Sequence, residues 1–150
     1  MRFAKGHNTG NVRYCAYGFF ALKVYCAMPQ LLRHLPKPVI GLSPMDGVTD
    51  AAFRFITAKH GKPAVSITEF TSAEGVAAGA VKLLDDFLYS EIERPVVAQI
   101  FGSNPDAFFK AAVVVCALGF DGLDINMGCP ARNVAEHGGG AALIKTPKLA

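Results

Sequence analysis

From Val39 onward, the hydrophobic positions of the chain form four short apolar runs separated by segments with helical spacing. The runs are PVIGLS (38–43), AVSITEF (64–70), RPVVAQIFG (94–102) and FDGLDIN (120–126). Each is rich in β-branched or aliphatic residues and lies beside glycine or proline, which predicts a β-strand. Strands that recur at intervals of roughly 30 residues, with helical segments between them, predict βαβ units around a parallel sheet.

Two of the segments between the strands predict helices with recognisable ends. In TDAAFRFITAKHG (49–61), Thr49 is the predicted N-cap and Gly61 the predicted stop. SNPDAFFKAAVVVCALG (103–119) is expected to begin at Ser103 or Asn104 and to end at Gly119. The residues predicted to share a buried face are Phe53, Ile56 and Thr57 in the first helix and Phe109, Ala112, Val113 and Cys116 in the second.

A third segment, SAEGVAAGAVKLLDDFLYS (72–90), has helical composition, but Gly75 and Gly79 interrupt it, so its form is left open. Four βα units amount to half of a (β/α)8 barrel, a fold that typically needs about 250 residues. The chain has 150 residues. We therefore interpret residues 38–150 as the N-terminal half of a TIM barrel, truncated after roughly its first four βα units.

Polar residues follow the predicted strands at their carboxyl ends, although strands covered on both faces should be apolar throughout. These residues are Ser43 to Asp46, Glu69, Gln99 and Asn126. Such a distribution is typical of an active site at that end of the sheet, in barrels and in doubly wound sheets alike. Glu69 could equally be a structural ion-pair member, and we assign it no role.

Residues 1–37 differ from the rest of the chain in charge. Every ionisable residue before Asp46 is basic, whereas the whole chain has a formal net charge of only +3. We interpret 1–37 as a basic, poorly ordered leader outside the domain. Its apolar stretch YCAYGFFALKVYCAM is too short and too interrupted for a membrane span. A signal peptide is the alternative, but the sequence that follows is typical of a cytoplasmic protein.

The stretch DINMGCPARNV (124–134) combines a polar strand end with a cysteine. Side chains alternate along a strand, so Asp124 and Asn126 should share the face that would form the interior of a barrel. Cys129 precedes Pro130, which restricts it to an extended conformation, and Gly128 allows close approach of the backbone to a ligand. A thiol in this place could be a nucleophile, a ligand, an acid or a packing group.

The candidate roles of Cys129 narrow because no histidine partner is evident, since we expect His137 to be a solvated loop residue. A thiol without a base to deprotonate it serves more naturally as a general acid. The other cysteines are expected to be small buried hydrophobic residues, as most cysteines are. They are Cys15, Cys26 and Cys116, and no CxxC or His/Cys spacing typical of zinc occurs.

Three further parts of the sequence are candidates for ligand binding, and each also has an ordinary structural explanation. Pro44, Met45 and Asp46 could edge a planar ligand, or form an ordinary capped turn in which Asp46 is a local acceptor. Gln99 could bond the alternating donors and acceptors of a flavin or pyrimidine edge, or simply the backbone. GGGAALIK (138–145) fits neither a P-loop nor a dinucleotide pattern, so we expect a flexible loop entering a helix, with Lys145 solvated.

Taken together, SPMDGVTDAAFR, ITEF, PVVAQIFGSNPDAF, GFDGLDINMGCPARNV and GGGAALI resemble the N-terminal half of the tRNA-dihydrouridine synthases, closest to their bacterial B-type group. The resemblance runs from about Val39 to about Pro147. DINMGCPA is its most specific element and PMDGVTD the next. It implies an FMN-containing TIM barrel that reduces the C5–C6 bond of selected uridines in tRNA and uses NADPH to reduce the flavin.

The resemblance also implies roles for individual residues. Pro44, Met45 and Asp46 would lie against the isoalloxazine, with main-chain contact counting more than side-chain identity. Gln99 would bond the flavin ring, Asn126 would lie between flavin and uracil, and Cys129 would be the general acid that protonates C5. The target base must leave its stack to reach the pocket. No metal and no membrane association are expected, and the full-length protein is expected to be a cytoplasmic monomer.

The parts of the family that lie beyond this stretch include its flavin-contacting lysine and histidine, its phosphate-binding loops and its tRNA-gripping domain. We therefore expect the 150-residue chain alone to bind FMN weakly and to turn over nothing. Two other readings remain. One is an FMN barrel that acts on a free pyrimidine, like the dihydroorotate dehydrogenases; the other is a non-catalytic or RNA-binding fragment, supported only by the basic residues before Asp46.

Overall fold

The structure is a computed structural model that describes residues 31, 33–35 and 37–150. The predicted leader, 1–37, lies almost entirely outside the described residues, and so do Cys15 and Cys26. From residue 37 onward the chain alternates strands with helices, in the order that the hydrophobic pattern predicts.

Four parallel strands form one sheet, in the order β1-β2-β3-β4. They are β1 (Gly41–Leu42), β2 (Val65–Ser72), β3 (Val96–Phe101) and β4 (Gly122–Ile125). Each lies within or overlaps one of the four predicted runs, so the prediction of a parallel α/β fold is confirmed. Because neighbours in the sheet are also neighbours in sequence, each connection advances the sheet by one strand, which is the arrangement of a (β/α) barrel.

Helices follow each strand. They are α1 (Ala51–Gly61), α2 (Ala73–Ala77), α3 (Pro105–Leu118) and α4 (Arg132–Ala135), joined by 3₁₀ turns at Val81–Phe87, Glu91–Glu93 and Gly140–Lys145. The segment whose form was left open contains α2 and the first 3₁₀ turn. Helix α3 has the predicted ends, since the Asn104 side chain accepts from the first-turn amides and Gly119 is left-handed, with φ 84°.

The hydrophobic core lies between the sheet and helices α2 and α3. Ala98 and Ile100 of β3 are fully buried there, beside Ala107, Ala111 and Val115 of α3. The predicted buried stripe of α3 is therefore wrong, because Phe109 is 52% exposed and Cys116 is exposed as well. This helix is apolar on nearly all sides, so periodicity alone does not distinguish its inner face.

Helix α1 also differs from the prediction in its cap and its buried face. Asp50, rather than Thr49, accepts from the Phe53 amide at 2.8 Å. Thr49 is fully buried and its hydroxyl bonds the main chain of Met45 instead. The inner face carries Arg54 and Ala58, while Phe53 and Ile56 are exposed.

Arg54 lies inside because its guanidinium has a complete set of partners. Its Nε donates to Glu93 Oε2 at 2.9 Å, and its other nitrogens donate to the carbonyls of Thr49 and Leu88. Both Arg54 and Glu93 are 1% exposed. The pair joins the start of α1 to the segment before β3, and neither charge could stay buried without the other.

Candidate active site at the carboxyl ends of the strands

The face of the sheet opposite α2 and α3 carries a cleft of about 570 Å³ at the carboxyl ends of the strands. Of the predicted site residues, Pro44, Gln99, Asn126 and Cys129 line it together. Its other lining residues are Ser43, Ile67, Phe70, Asp124, Ile125, Met127 and Gly128. The cleft thus combines apolar walls with a small group of convergent polar side chains, as ligand sites usually do.

Gln99 is placed by an irregularity in the neighbouring strand. The register between β2 and β3 shifts between Ile67 and Phe70, so two residues of β2 oppose one of β3. In this bulge the Thr68 hydroxyl accepts from the Gln99 main-chain amide at 3.1 Å. Bulges of this kind re-aim side chains near sites. The Gln99 side chain belongs to the face of the cleft and is only 6% exposed.

Three polar side chains are joined by hydrogen bonds along the floor of the cleft. Gln99 Nε2 donates to Asp124 Oδ2 at 2.6 Å, and Asn126 Nδ2 donates to Gln99 Oε1 at 3.1 Å. Asp124 pairs with Gln99 in the ladder of β3 and β4. The predicted alternation is therefore observed, with Asp124 on the cleft face and Leu123 packed against the core on the other.

The same chain of bonds continues into the turn that carries the cysteine. Asn126 Oδ1 accepts from the amides of Gly128 at 3.1 Å and Cys129 at 2.9 Å. This is a local side-chain turn of the kind that asparagine favours. Cys129 is partly exposed and lines the cleft. The side chain of Asn126, directly after β4, thus fixes the backbone of the turn that carries the thiol.

The glycine-rich segment supports the cysteine turn from the other side. The Ala141 amide donates to the Cys129 carbonyl at 2.9 Å. A Cβ on Gly140 would lie 2.5 Å from that carbonyl oxygen, and a Cβ on Gly139 would lie 3.1 Å from the Gly102 backbone. Both glycines are buried, so the predicted flexible loop is instead a packed one. Its glycines permit close approach between backbones.

The turn between β1 and α1 forms the opposite rim of the cleft. Met45 uses both of its main-chain polar groups inside this turn: its amide donates to Thr49 Oγ1 at 2.8 Å, and its carbonyl accepts from Val48 and Thr49. Glu69, in the bulge of β2, accepts from the Val48 amide at 2.9 Å. The turn is therefore fastened to β2 as well as to its own helix.

Pro44 lines the cleft, whereas Met45 and Asp46 are exposed beside it and are not among its lining residues. Main-chain contact between Met45 and a ligand was expected. In the structure, the amide and the carbonyl of Met45 already form hydrogen bonds within the turn. No bond of the Asp46 side chain appears among the described residues, where Thr49 and Asp50 make the turn and cap bonds instead.

The half-buried carboxylate of Glu74 stabilises the loop that follows β3. Glu74 Oε1 accepts from the amides of Ser103 at 3.0 Å and Asn104 at 3.1 Å. Burial alone would raise the pKa of Glu74, but these amide bonds outweigh it and hold the pKa below its ordinary value. Glu74 is not a cleft residue. It fixes the loop on which Gly139 rests.

Sequence reasoning assigned no role to Asp124, Glu69 and Gly140, which all shape the site. Asp124 carried a usable signal, because it is an acidic residue in a short apolar strand, on the same side of the chain as Asn126. Glu69 and Gly140 act through residues 21 and 11 positions away in sequence, a relation that local patterns do not record.

Within the described part of the chain, no group of three or more histidine, cysteine or acidic side chains is arranged to hold a metal ion. His137 is exposed, as expected, with Nδ1 2.6 Å from the Asn133 carbonyl oxygen. Lys145 is exposed as well. Among residues 31, 33–35 and 37–150, none of the helices is both long and apolar enough to cross a membrane.

A parallel sheet whose strand order follows the order of the chain, with a polar cleft at the carboxyl ends of its strands, is the architecture of barrel-type enzymes. Residues 41–150 match the family model described as Dihydrouridine synthase (Dus). The chain therefore belongs to the dihydrouridine synthase family. This family has the TIM-barrel fold, and the four βα units observed here form part of such a barrel.

Curated relatives agree with this assignment. The chain is 43% identical over 120 residues to a probable tRNA-dihydrouridine synthase 2 of Bacillus subtilis, a match that covers 79% of this chain and 37% of the relative. It is 40% and 39% identical over 118 residues to probable tRNA-dihydrouridine synthases of Staphylococcus aureus and Staphylococcus epidermidis, covering 77% of this chain and 36% of each. The chain thus spans little more than a third of the length of these relatives.

Proposed function

We propose that this chain contributes to an FMN-dependent tRNA-dihydrouridine synthase, which reduces the C5–C6 bond of specific uridines in tRNA. One observation carries the proposal. Gln99 on β3, Asn126 directly after β4 and Cys129 in the following turn meet at a single cleft and are connected by continuous hydrogen bonds. The names of the relatives support tRNA as the substrate.

The donor set of the cleft fits the edge of a flavin or uracil ring. Each nitrogen and oxygen of Gln99 has one bond within the protein, so one N–H and one lone pair remain for a ligand. Pro44, Ile67, Phe70 and Met127 offer the apolar surface that a flat ring needs. The exposed side chain of Met45, beside Pro44, can extend this surface. We accordingly assign Pro44, Met45, Asp46, Gln99 and Asn126 to the flavin-facing part of the site.

None of the described cleft-lining residues is basic. We propose that this chain supplies the ring-binding part of the FMN site and that the phosphate is held by residues outside the described cleft. NADPH is proposed as the reductant of the flavin. A cytoplasmic location and a monomeric full-length protein belong to the same proposal, since tRNA is a cytoplasmic substrate.

Reduced FMN, when bound, would supply a hydride to C6 of the uracil. Cys129 supplies the matching proton at C5, so that the double bond takes up one hydride and one proton and becomes single. The turn suits this task, because Asn126 and Ala141 hold the amide and the carbonyl of Cys129. No histidine lies among the described cleft-lining residues, so the role of proton donor suits Cys129 better than that of an activated nucleophile. Solvent then restores the proton to the sulfur.

The target uridine must be extruded from its stack, at a cost of a few kcal/mol that is smallest in a loop. A rim that is open to solvent at Met45, Met127 and Gly128 leaves room for such a nucleotide to enter. Proposed substrates are therefore uridines in tRNA loops rather than in helical stems.

Deleting the complete gene and measuring dihydrouridine in total tRNA by mass spectrometry tests the proposal. We expect dihydrouridine to disappear from at least one tRNA position and to return when the wild-type gene is restored. Unchanged tRNA together with loss of the redox conversion of a free pyrimidine would favour the dihydroorotate dehydrogenase-like reading. Unchanged tRNA and unchanged pyrimidine metabolism would favour a non-catalytic fragment.

A further inference from the structure

The hydrogen bonds that join Asn126, Gln99 and Asp124 on the floor of the cleft have a defined direction. Each amide nitrogen donates to the next residue towards Asp124. From the structure we infer that Asp124 is a positioning residue: its carboxylate fixes the amide orientation of Gln99, whose oxygen then holds the Asn126 nitrogen, so that Asn126 faces the cleft with an N–H donor only. The inference rests on the proposed function in one respect: it takes the cleft to be the binding site of a ring that carries carbonyl groups.

The direction is set at one end by backbone amides. The amides of Gly128 and Cys129 can only donate, so the Asn126 atom that faces them must be Oδ1. The Asn126 nitrogen therefore points to Gln99, 3.1 Å from its Oε1. This leaves the Gln99 nitrogen to face β4.

The direction is set at the other end by Asp124. An ionised carboxylate accepts and cannot donate, and its Oδ2 lies 2.6 Å from Gln99 Nε2. A reversed Gln99 amide would bring its oxygen against this carboxylate and its nitrogen against the nitrogen of Asn126. The backbone amides of the cysteine turn and the carboxylate of Asp124 therefore require the same orientation of the Gln99 amide. Gln99 is 6% exposed, so water cannot easily replace either partner.

The orientation decides what the cleft offers to a ligand. Asn126 Oδ1 already accepts two bonds, so the side chain of Asn126 has one N–H left and no acceptor to offer. A ring bound against Asn126 must therefore present an acceptor, such as a carbonyl oxygen, at that point. A ring N–H in the same place would face another donor and be rejected.

Four variants of the protein at its natural length test this inference. The readout is water exchange of the Asn126 side-chain amide protons, followed by NMR after selective labelling of asparagine with ¹⁵N. Asp124→Leu keeps the γ-branched shape of the side chain but removes the acceptor, and we expect exchange to accelerate about tenfold or more. Asp124→Asn is the matched control, since it retains one acceptor oxygen, and should exchange within about twofold of the wild type.

The second pair of variants, Gln99→Glu and Q99E/D124N, exchanges the hydrogen-bond donor and acceptor between positions 99 and 124. Gln99→Glu places a carboxylate against Asp124, and we expect exchange at Asn126 to accelerate. In the double variant Q99E/D124N, the new amide at 124 can donate to the new carboxylate at 99, which still accepts from Asn126. Exchange should then return to within about twofold of the wild type. If Asp124→Leu does not fold, this second pair decides by itself.

Unchanged exchange in both Asp124→Leu and Gln99→Glu would overturn the inference, and so would a double variant no closer to the wild type than Gln99→Glu. A control that is as perturbed as Asp124→Leu would do the same. Flavin absorbance and dihydrouridine formation by the wild type are measured separately. A wild type with the expected exchange pattern but neither flavin nor product would refute the proposed function and leave the role of Asp124 in place.

Discussion

Gly140 offers a direct test of how the glycine-rich loop supports the cysteine turn. Its φ is +56°, and the Cβ of an alanine there would lie 2.5 Å from the Cys129 carbonyl oxygen and 2.8 Å from Val134 Cγ1. The left-handed conformation costs a non-glycine residue about 1–2 kcal/mol. Overpacking of a buried site adds about 1–3 kcal/mol. Gly140→Ala should therefore lower the free energy of unfolding by about 2–5 kcal/mol.

Gly79 provides a matched control, since its φ is +79° and nothing lies within 4 Å of an added Cβ. Gly79→Ala should cost only the conformational part, about 1–2 kcal/mol. Urea unfolding of both variants and the wild type, on one protein background, gives the difference. If Gly140→Ala is no more destabilising than Gly79→Ala, then the close approach of the loop to Cys129 is not a feature of the folded protein.

Three further predictions concern the pair at Arg54, the carboxylate at Glu74 and the cofactor. Arg54→Met leaves Glu93 buried without its partner and should destabilise the protein by about 3–5 kcal/mol, measured by urea unfolding, whereas a cost below about 1 kcal/mol would contradict a buried pair. The pKa of Glu74 is lowered in the folded state, so its stabilisation is present above the ordinary carboxyl value of 4.5 and is lost as the pH falls through the folded-state value. The difference in Tm between the wild type and Glu74→Gln should therefore shrink in acid. A difference that grows in acid would contradict the lowered pKa of Glu74 in the folded state. Titration of FMN into the 150-residue chain should show weak binding, and tight stoichiometric binding would contradict the expectation that the phosphate contacts lie elsewhere.

The strands and the ends of α3 could be predicted from the sequence because their causes are local. Runs of β-branched residues next to glycine and proline favour strands, and Asn104 and Gly119 cap α3 through bonds to nearby residues. The buried faces of α1 and α3 could not be predicted from the sequence. Arg54 of α1 is held inside by Glu93, 39 positions away, and α3 is apolar on nearly every side. Burial of an arginine depends on its partner, which periodicity does not contain.

The candidate site shows the same division. Gln99, Asn126 and Cys129 could be grouped in advance because the carboxyl ends of parallel strands meet at one edge of the sheet. The bonds that orient them could not, since they join β3 to β4 and the turn across 25 and 27 positions. The packed state of the glycine-rich loop depends likewise on the distant backbone of Cys129 and Gly102.

The most direct test of the account is single-turnover reduction of tRNA by the pre-reduced enzyme, comparing Cys129→Ala with the wild type at natural length. We predict that the variant retains flavin and binds tRNA but forms dihydrouridine about 10²–10⁴-fold more slowly, as expected for loss of a general acid. Dihydrouridine formation by Cys129→Ala at the wild-type rate would contradict the assignment of the proton donor and with it the proposed use of the cleft.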